Sequence, residues 1–149
     1  MRLEFEQLAR DAVRQLARGM RRSQSIRNFG FQLVEAAPGR AVVRMRVRPR
    51  HLQVHGVVHG GVLAALADTA AGLANYLLLP QGTRIATIEM KINYLERVEK
   101  GTLLAEARVL RGGRKFSVAQ CDVRDTQKRL VATSLLTFSI SSAGSRSRS

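Results

Sequence analysis

A single carboxylate, Asp68, interrupts an otherwise apolar and alanine-rich stretch that runs from about Val62 to Leu79. Burying a charge without compensation costs several kcal/mol, so a lone acid in a core segment usually has a chemical task. A carboxylate in such surroundings can attack a carbonyl carbon directly or activate a water molecule for the attack. Asp68 is therefore the first candidate catalytic residue.

Two glycines, Gly60 and Gly61, stand where a loop enters this stretch. The first backbone N–H groups of a helix have no partner inside the helix, and glycine lets a ligand approach them without a side chain in the way. Such an amide, together with the positive end of the helix dipole, stabilises the negative charge that develops on a carbonyl oxygen. We therefore expect an oxyanion site at Gly60, with Gly61 beside it as a substrate-binding residue.

The spacing between Gly60 and Asp68 limits how the two groups can cooperate. At about 1.5 Å per residue, the two residues lie roughly 12 Å apart along one helix axis, and one carbonyl group cannot touch both. If they serve one reaction, they must come from two chains whose helices lie side by side in opposite directions, as in a two-fold dimer. The sequence thus predicts a homodimer or a dimer of dimers.

The loop before the helix holds all three histidines of the chain, His51, His55 and His59, at a spacing of four residues. This spacing resembles that of metal ligands on one helical face, but the intervening glycines and valines disfavour a helix, and no cysteine or carboxylate lies nearby. We therefore expect no metal site. Gln53 is a better candidate in this loop, because its amide can hydrogen-bond a carbonyl or hold a water molecule.

Two helices are predicted to flank and position these candidates. Apolar residues at helical spacing over residues 3–20 predict an amphipathic helix, which we assign to an outer element of residues 1–24. The apolar stretch around Asp68 predicts a long buried helix that Pro80 and Gly82 end. Its many alanines would let a sheet approach closely.

A two-residue hydrophobic period predicts six strands. The first strand follows the alternation that begins at Phe29 and turns at Pro38 and Gly39 into the second. In the third, the apolar residues Ile88 and Met90 alternate with a polar face that includes Thr87. The four later strands are predicted over residues 85–95, 102–111, 114–124 and 129–140. This order fits an α+β fold in which a curved antiparallel sheet wraps around one long central helix, with an extra N-terminal helix.

Composition excludes several function classes. The net charge of +14 on 149 residues invites a nucleic-acid interpretation, but the positive residues are spread along the chain and only 5% of residues are aromatic. We therefore expect no nucleic-acid partner, only a general attraction to anionic ligands. Charges at the N-terminus argue against export, and polar interruptions of the apolar stretch argue against a membrane span. A single cysteine, Cys121, predicts a buried thiol and a cytoplasmic location.

The motif around these candidates resembles a known family. The stretch from Gln53 to Gly61, followed by Asp68 and the segment from Thr87 to Leu95, is similar to hotdog-fold acyl-CoA thioesterases of the phenylacetate-degradation and 4-hydroxybenzoyl-CoA type. The resemblance spans about residues 28–140. It implies a hotdog domain over residues 25–141. The N-terminal helix and the Ser/Arg tail at 142–149, which we expect to be disordered, lie outside the resemblance. It also implies hydrolysis of acyl-CoA, with coenzyme A as part of the substrate and no separate cofactor.

The resemblance implies roles for individual residues. Asp68 matches the acid that serves as nucleophile or general base, and Gly60 matches the glycine whose N–H polarises the thioester carbonyl. His59 precedes that glycine as in most members, and Gln53 stands where the family has Asn or Gln near the attack site. Thr87 falls about where some members keep a Ser or Thr that orients water.

Several points stay open at the level of sequence. Gly72 stands where some members carry a hydroxyl one turn after the acid, so water positioning differs here. The phosphates of coenzyme A are expected on basic surface residues, and Arg111, Arg114 and Lys115 are the candidates. The mechanism, an anhydride or an activated water, is undecided, and so is the acyl group. The alternative function is a non-catalytic module of the same fold that binds acyl-CoA.

Overall fold

A computed structural model describes the backbone of residues 2–80 and 82–142, and the side chains of residues 10–80 and 82–142. Three helices and six strands make up most of this part of the chain. The helices are α1 (Arg2–Arg22), α2 (Gln24–Phe29) and α3 (Gly60–Tyr76). The strands are β1 (Phe31–Ala37), β2 (Arg40–Arg46), β3 (Arg84–Tyr94), β4 (Thr102–Gly112), β5 (Phe116–Asp125) and β6 (Leu130–Ser141).

The strands form one antiparallel sheet in the order β1-β2-β4-β5-β6-β3, and α3 contacts all six of them. Small residues of α3, among them Ala67, Ala70 and Ala74, are fully buried, so the helix backbone lies close to the sheet. The predicted architecture of a sheet around one long helix is confirmed. Since α3 separates β2 from β3, β2 pairs with β4, and β3 pairs with β6 at the edge of the sheet.

The segment before β1 differs from the predicted strand. Phe29 ends the short helix α2, and Gly30 follows it in the left-handed conformation with φ 70°. The rings of Phe29 and Phe31 stack with their centroids 5.0 Å apart. Their alternation therefore marks a contact across a helix end, because glycine readily supplies the left-handed turn that separates the two rings.

Helix α3 is shorter than the apolar stretch that predicted it. It ends at Tyr76, although the apolar residues continue to Leu79. A proline ring clashes with the carbonyl group four residues earlier, and Pro80 therefore prevents the helix from continuing past Tyr76. Asn75, which is fully buried, donates from Nδ2 to the carbonyl of Ala71 at 2.9 Å and accepts a hydrogen bond from Ser117 of β5.

A β-bulge in β3 changes the predicted alternation at Thr87. Thr87 pairs with Phe138 and Glu89 pairs with Thr137, so Ile88 is an extra residue without a partner in β6. One inserted residue exchanges the two faces of a strand beyond it. Thr87 therefore lies on the same face as Phe138 and Met90, on the helix side of the sheet, and not on the face opposite Met90 to which the alternation assigned it.

The remaining elements agree with the pattern to within about two residues. α1 contacts β1 and α2, and Met20 near its end is buried, so this helix packs on the outside of the sheet domain as expected. Cys121 is a buried free thiol, and burial raises its pKa. Apart from Ser142, the predicted Ser/Arg tail lies outside the described residues. Among the helices of the described residues, none has both the length and the apolar character to cross a bilayer.

Candidate functional site

The start of α3 is fixed by the residue before it. His59 has an extended backbone with φ −64° and ψ 135°, and its Nδ1 accepts a hydrogen bond from Gly61 N–H at 2.9 Å. Of the two candidate amides, Gly61 N–H is therefore already bonded to a side chain. The amide of Gly60, the first residue of the helix, has no acceptor within its own helix and is the one that geometry leaves for a ligand.

Tyr94 covers the other side of this helix start. Its hydroxyl donates to the carbonyl of Gly60 at 3.1 Å, and a Cβ atom added to Gly60 would lie 3.1 Å from Cζ of the ring. The absence of a side chain at Gly60 therefore lets the tyrosine ring pack directly on the backbone. Tyr94 belongs to the motif that carried the family resemblance, but residue type alone gave no indication of this contact.

Asp68 and Thr87 lie together further along α3. Thr87 Oγ1 donates to Asp68 Oδ1 at 2.7 Å, which joins the middle of the helix to the edge strand β3. Asp68 is half-buried, not fully enclosed as a core position would be. It lines a cavity of about 220 Å³ together with mostly apolar neighbours, which include Gly72, Leu73 and Ile85. Within the described residues, no cationic side chain lies within salt-bridge distance of this carboxylate.

Gln53 organises the loop that precedes the helix. Its backbone N–H donates to the carbonyl of Val57 at 2.8 Å, and its side-chain Oε1 accepts from His55 N–H at 2.7 Å. Gly56 completes this turn in the left-handed conformation with φ 77°. One side of the Gln53 amide is thus used by the loop, while its Nε2 group carries the two remaining donors.

The buried residue His51 holds the same loop in place. Its side chain is buried, and Nδ1 accepts from Arg48 N–H at 3.0 Å. Nε2 has no hydrogen-bond partner among the described atoms, and burial lowers the pKa of His51. The carbonyl of His51 accepts from His59 N–H at 2.9 Å, which ties the buried loop to the start of α3. In the described part of the chain, no three His, Cys, Asp or Glu residues are grouped as metal ligands would be.

The basic candidates lie at the tip of the β4–β5 hairpin. Arg111, Arg114 and Lys115 are all exposed there. The carbonyl of Lys115 accepts from Ile140 N–H at 2.7 Å, so the tip lies at the end of the sheet where Thr87 pairs with β6. Within one chain, these residues are therefore on the side of Asp68 and away from Gly60.

The two groups that would meet a single carbonyl are apart within one chain. Gly60 contacts Tyr94 at one end of β3, whereas Asp68 contacts Thr87 near the other end. Eight residues along α3 also place Gly60 and Asp68 about 12 Å apart on the helix axis. Gly60 and Asp68 of one chain therefore lie at separate places along α3 and β3.

A comparison with protein-family models matches residues 55–132 to the thioesterase superfamily. The matched residues make up slightly more than half of the chain and contain Gly60, Asp68 and Thr87. The chain belongs to the thioesterase superfamily. Gln53 and α1 of this thioesterase-superfamily chain lie outside the matched span.

Individual relatives agree with this membership. A putative esterase of Haemophilus influenzae is 36% identical over 112 residues, which cover 75% of this chain and 76% of the relative. The crystal structure of a thioesterase from the same organism has a TM-score of 0.80 and 29% identity, covering 85% of this chain and 89% of that one.

A third match is a variant of the phenylacetic acid degradation protein PaaI from Thermus thermophilus. It has a TM-score of 0.72 and 29% identity, and the match covers 78% of this chain and 98% of that protein. The predicted resemblance to hotdog-fold thioesterases is confirmed. The general chemistry of this thioesterase-superfamily chain is thioester hydrolysis.

Proposed function

We propose that this chain hydrolyses acyl-CoA thioesters, with Asp68 as nucleophile or general base. The observation that carries the proposal is the Asp68–Thr87 pair, a half-buried carboxylate that a hydroxyl holds at 2.7 Å beside an apolar cavity. No cation of the described residues neutralises it, so a structural ion pair does not account for its position. An oriented carboxylate of this kind can take a proton from water or attack a carbonyl carbon itself.

The second half of the proposed site is the amide of Gly60 from another copy of the chain. In the reaction, water or Asp68 attacks the thioester carbonyl carbon, and Gly60 N–H stabilises the negative charge on the carbonyl oxygen. The carbon–sulfur bond then breaks, and coenzyme A leaves as a thiolate that takes up a proton. Attack by water gives the free acid directly, whereas attack by Asp68 gives an acyl–Asp68 anhydride that water hydrolyses to the free acid and restores the carboxylate. Gln53 is proposed to hydrogen-bond the carbonyl or the water through Nε2, and His59 to hold the helix start through its cap.

Edge strand β3 is the surface that we propose for pairing two chains. It bonds to β6 on one side, and exposed apolar side chains flank it, with Ile88 55% and Tyr94 51% exposed. An unpaired edge of this length is a template for another strand. Antiparallel pairing of two β3 strands about their middles would bring the Tyr94 end of one chain alongside the Thr87 part of the other. A two-fold dimer built this way contains two equivalent sites.

The phosphates of coenzyme A are proposed to meet the exposed tip formed by Arg111, Arg114 and Lys115. Guanidinium groups bind phosphate through paired charge-assisted hydrogen bonds, and an ammonium group adds a point charge. The overall charge of +14 supports an anionic substrate of this kind, because it favours encounter with negatively charged molecules.

Co-expression of two inactive variants tests the shared site. Asp68→Asn removes the acid, and Gly60→Pro removes the amide hydrogen, so each homodimer should lose about a hundredfold or more in kcat/KM. In a mixed dimer, one site carries both changes and the other carries neither. Random mixing of equal amounts makes half of the dimers mixed, so about a quarter of wild-type activity should return.

The readout is thiol release from acyl-CoA, followed with a thiol-reactive dye. Activity that stays absent after co-expression of two folded variants that form mixed dimers would contradict the two-chain site. A wild-type rate in Asp68→Asn would contradict the catalytic role of the acid. Tight binding of acyl-CoA without any thiol release by the wild-type protein would favour the non-catalytic binding module instead.

A further inference from the structure

A second and larger cavity lies between α1 and the C-terminal end of α3. Its volume is about 700 Å³, within the range of small-molecule pockets. Most of its lining is apolar, although Asp11, Gln15 and Thr83 also contribute. The apolar lining residues include Leu16, Met20, Leu73, Leu77, Leu79 and Pro80. We refer to this space as the α1 cavity.

The α1 cavity adjoins the smaller cavity at Asp68. Ile26, Leu73 and Tyr76 line both, so the two cavities are neighbours along α3. Asp68 and Tyr76 are eight residues apart on α3, which places the α1 cavity about 12 Å along the helix from the acid. Gly72 lies between them, and a Cβ atom added there would meet only Ile85 Cδ1, at 3.9 Å. Gly72 therefore leaves space along this face of α3 between the two cavities.

We propose that the α1 cavity holds the far end of the acyl group, and that this chain prefers thioesters of extended apolar acyl chains over short ones. The inference rests on the proposed function, since it requires the reacting carbonyl to lie at Asp68. The cavity at Asp68 alone, at about 220 Å³, has room for a compact group, because even a 150 Å³ apolar cavity in a protein can hold a benzene ring. An extended chain needs the additional space.

The apolar lining of the α1 cavity accounts for the proposed preference for long acyl chains. Each methylene group that moves from water to an apolar wall improves binding by about fourfold, and binding that persists in the transition state raises kcat/KM. Acyl chains long enough to pass Leu73 and Tyr76 gain this contribution, while short chains end in the cavity at Asp68. Helix α1, which forms one wall of the cavity, lies outside the residues 55–132 that match the family model.

Gly19 provides a clean way to fill the α1 cavity. It lines the cavity, and a Cβ atom added to it would have no heavy atom within 4 Å. Because Gly19 lies within a helix, Gly19→Leu should also improve helix propensity, so loss of folding is not the expected result. Arg18→Leu is the matched control, since Arg18 is exposed on the same helix and does not line this cavity.

The experiment measures kcat/KM for butyryl-CoA, octanoyl-CoA and dodecanoyl-CoA with the full-length protein. The wild type and Arg18→Leu should both favour the longest chain. Gly19→Leu should lower kcat/KM for dodecanoyl-CoA about tenfold and leave the value for butyryl-CoA within about twofold of wild type. A wild-type preference for butyryl-CoA, or an equal loss for all three substrates in Gly19→Leu, would overturn the inference.

A binding measurement separates this inference from the proposed function. The fluorescent fatty acid cis-parinaric acid should bind the wild type and Arg18→Leu, and Gly19→Leu should weaken its binding about tenfold. If no acyl-CoA is hydrolysed but this pattern appears, the proposed reaction fails and the apolar ligand site stands. If acyl-CoA is hydrolysed but Gly19→Leu binds cis-parinaric acid as wild type does, the α1 cavity is not the acyl site.

Discussion

The start of α3 and its middle contribute to the proposed site in different ways. At the start, the functional group is the backbone amide of Gly60, and the cap of His59 and the ring of Tyr94 both fix the main chain. In the middle, the functional group is the side chain of Asp68, and a single hydroxyl from Thr87 orients it. The helix start should therefore respond to changes of backbone chemistry, and the middle to changes of side-chain chemistry.

The largest effect is expected when the amide hydrogen at the start of α3 is removed. Gly60→Pro deletes the N–H group, and proline is tolerated at the first helical position. The extended backbone of His59 also suits a residue before proline. We expect kcat to fall about a hundredfold to a thousandfold relative to Gly60→Ala, as for loss of an oxyanion donor.

Gly60→Ala is the matched control for this measurement. Both variants add a Cβ atom that presses on the Tyr94 ring, where the distance to Cζ would be 3.1 Å, so this crowding cancels in their ratio. Circular dichroism should show that both keep the helix. Equal kcat values for the alanine and proline variants would mean that the amide of Gly60 takes no part in the reaction.

A smaller effect is expected in the middle of the helix, at Thr87. Thr87→Val keeps the shape and the strand propensity but removes the hydroxyl that donates to Asp68. A hydrogen bond to a charged group is worth a factor of about ten to a hundred, so kcat should fall by that amount. Thr87→Ser retains the hydroxyl and should recover most of the activity. Steady-state kinetics together with urea unfolding would check this, and a Thr87→Ser variant as slow as Thr87→Val would show that packing matters, not the hydrogen bond.

The smallest expected effect is a pH dependence of the free energy of unfolding that comes from His51, near the start of α3. His51 supports that region through its contact with His59 N–H, and burial lowers its pKa in the folded protein. The unfolded chain therefore takes up a proton first as the pH falls, and stability decreases below the unfolded value of about 6.5. In His51→Asn, which keeps an acceptor for Arg48 N–H, this part of the pH dependence should disappear.

Urea unfolding midpoints at several pH values would measure this effect. The same substitution at the exposed His55 should leave the pH dependence of the wild type in place. If His51→Asn loses stability between neutral and acidic pH as steeply as the wild type does, His51 is not the group responsible.

The sequence pattern was informative where one period dominates. The alternating strands and the long apolar helix both follow from burial of one face, and they led to the correct architecture. The helix end at Phe29 was missed, and the long helix ends at Tyr76, a few residues before the Pro80 that was predicted to end it, because both boundaries depend on local steric contacts. An apolar residue at such a boundary fits a helix, a strand or a turn equally well.

The candidate site shows the same division between pattern and geometry. Asp68 and Gly60 stood out because a charge and a pair of glycines are unusual in an apolar stretch. The contacts of Tyr94 with Gly60 and of His59 with Gly61 join residues according to how elements pack and how a helix is capped, which residue type alone does not indicate. Thr87 was identified through the family resemblance, whereas the two-residue alternation assigned it to the face opposite Met90 because the bulge at Ile88 leaves no mark in the sequence.

The bulge at Ile88 has a consequence for how this site can change during evolution. Whether the hydroxyl of Thr87 reaches the acid depends on the parity of the residue count between Thr87 and the inward-facing Met90. Loss of a single codon in this segment would turn the hydroxyl away while leaving every residue of the site unaltered. In comparisons of related chains, gaps in β3 therefore carry information about activity that the identities of aligned residues do not.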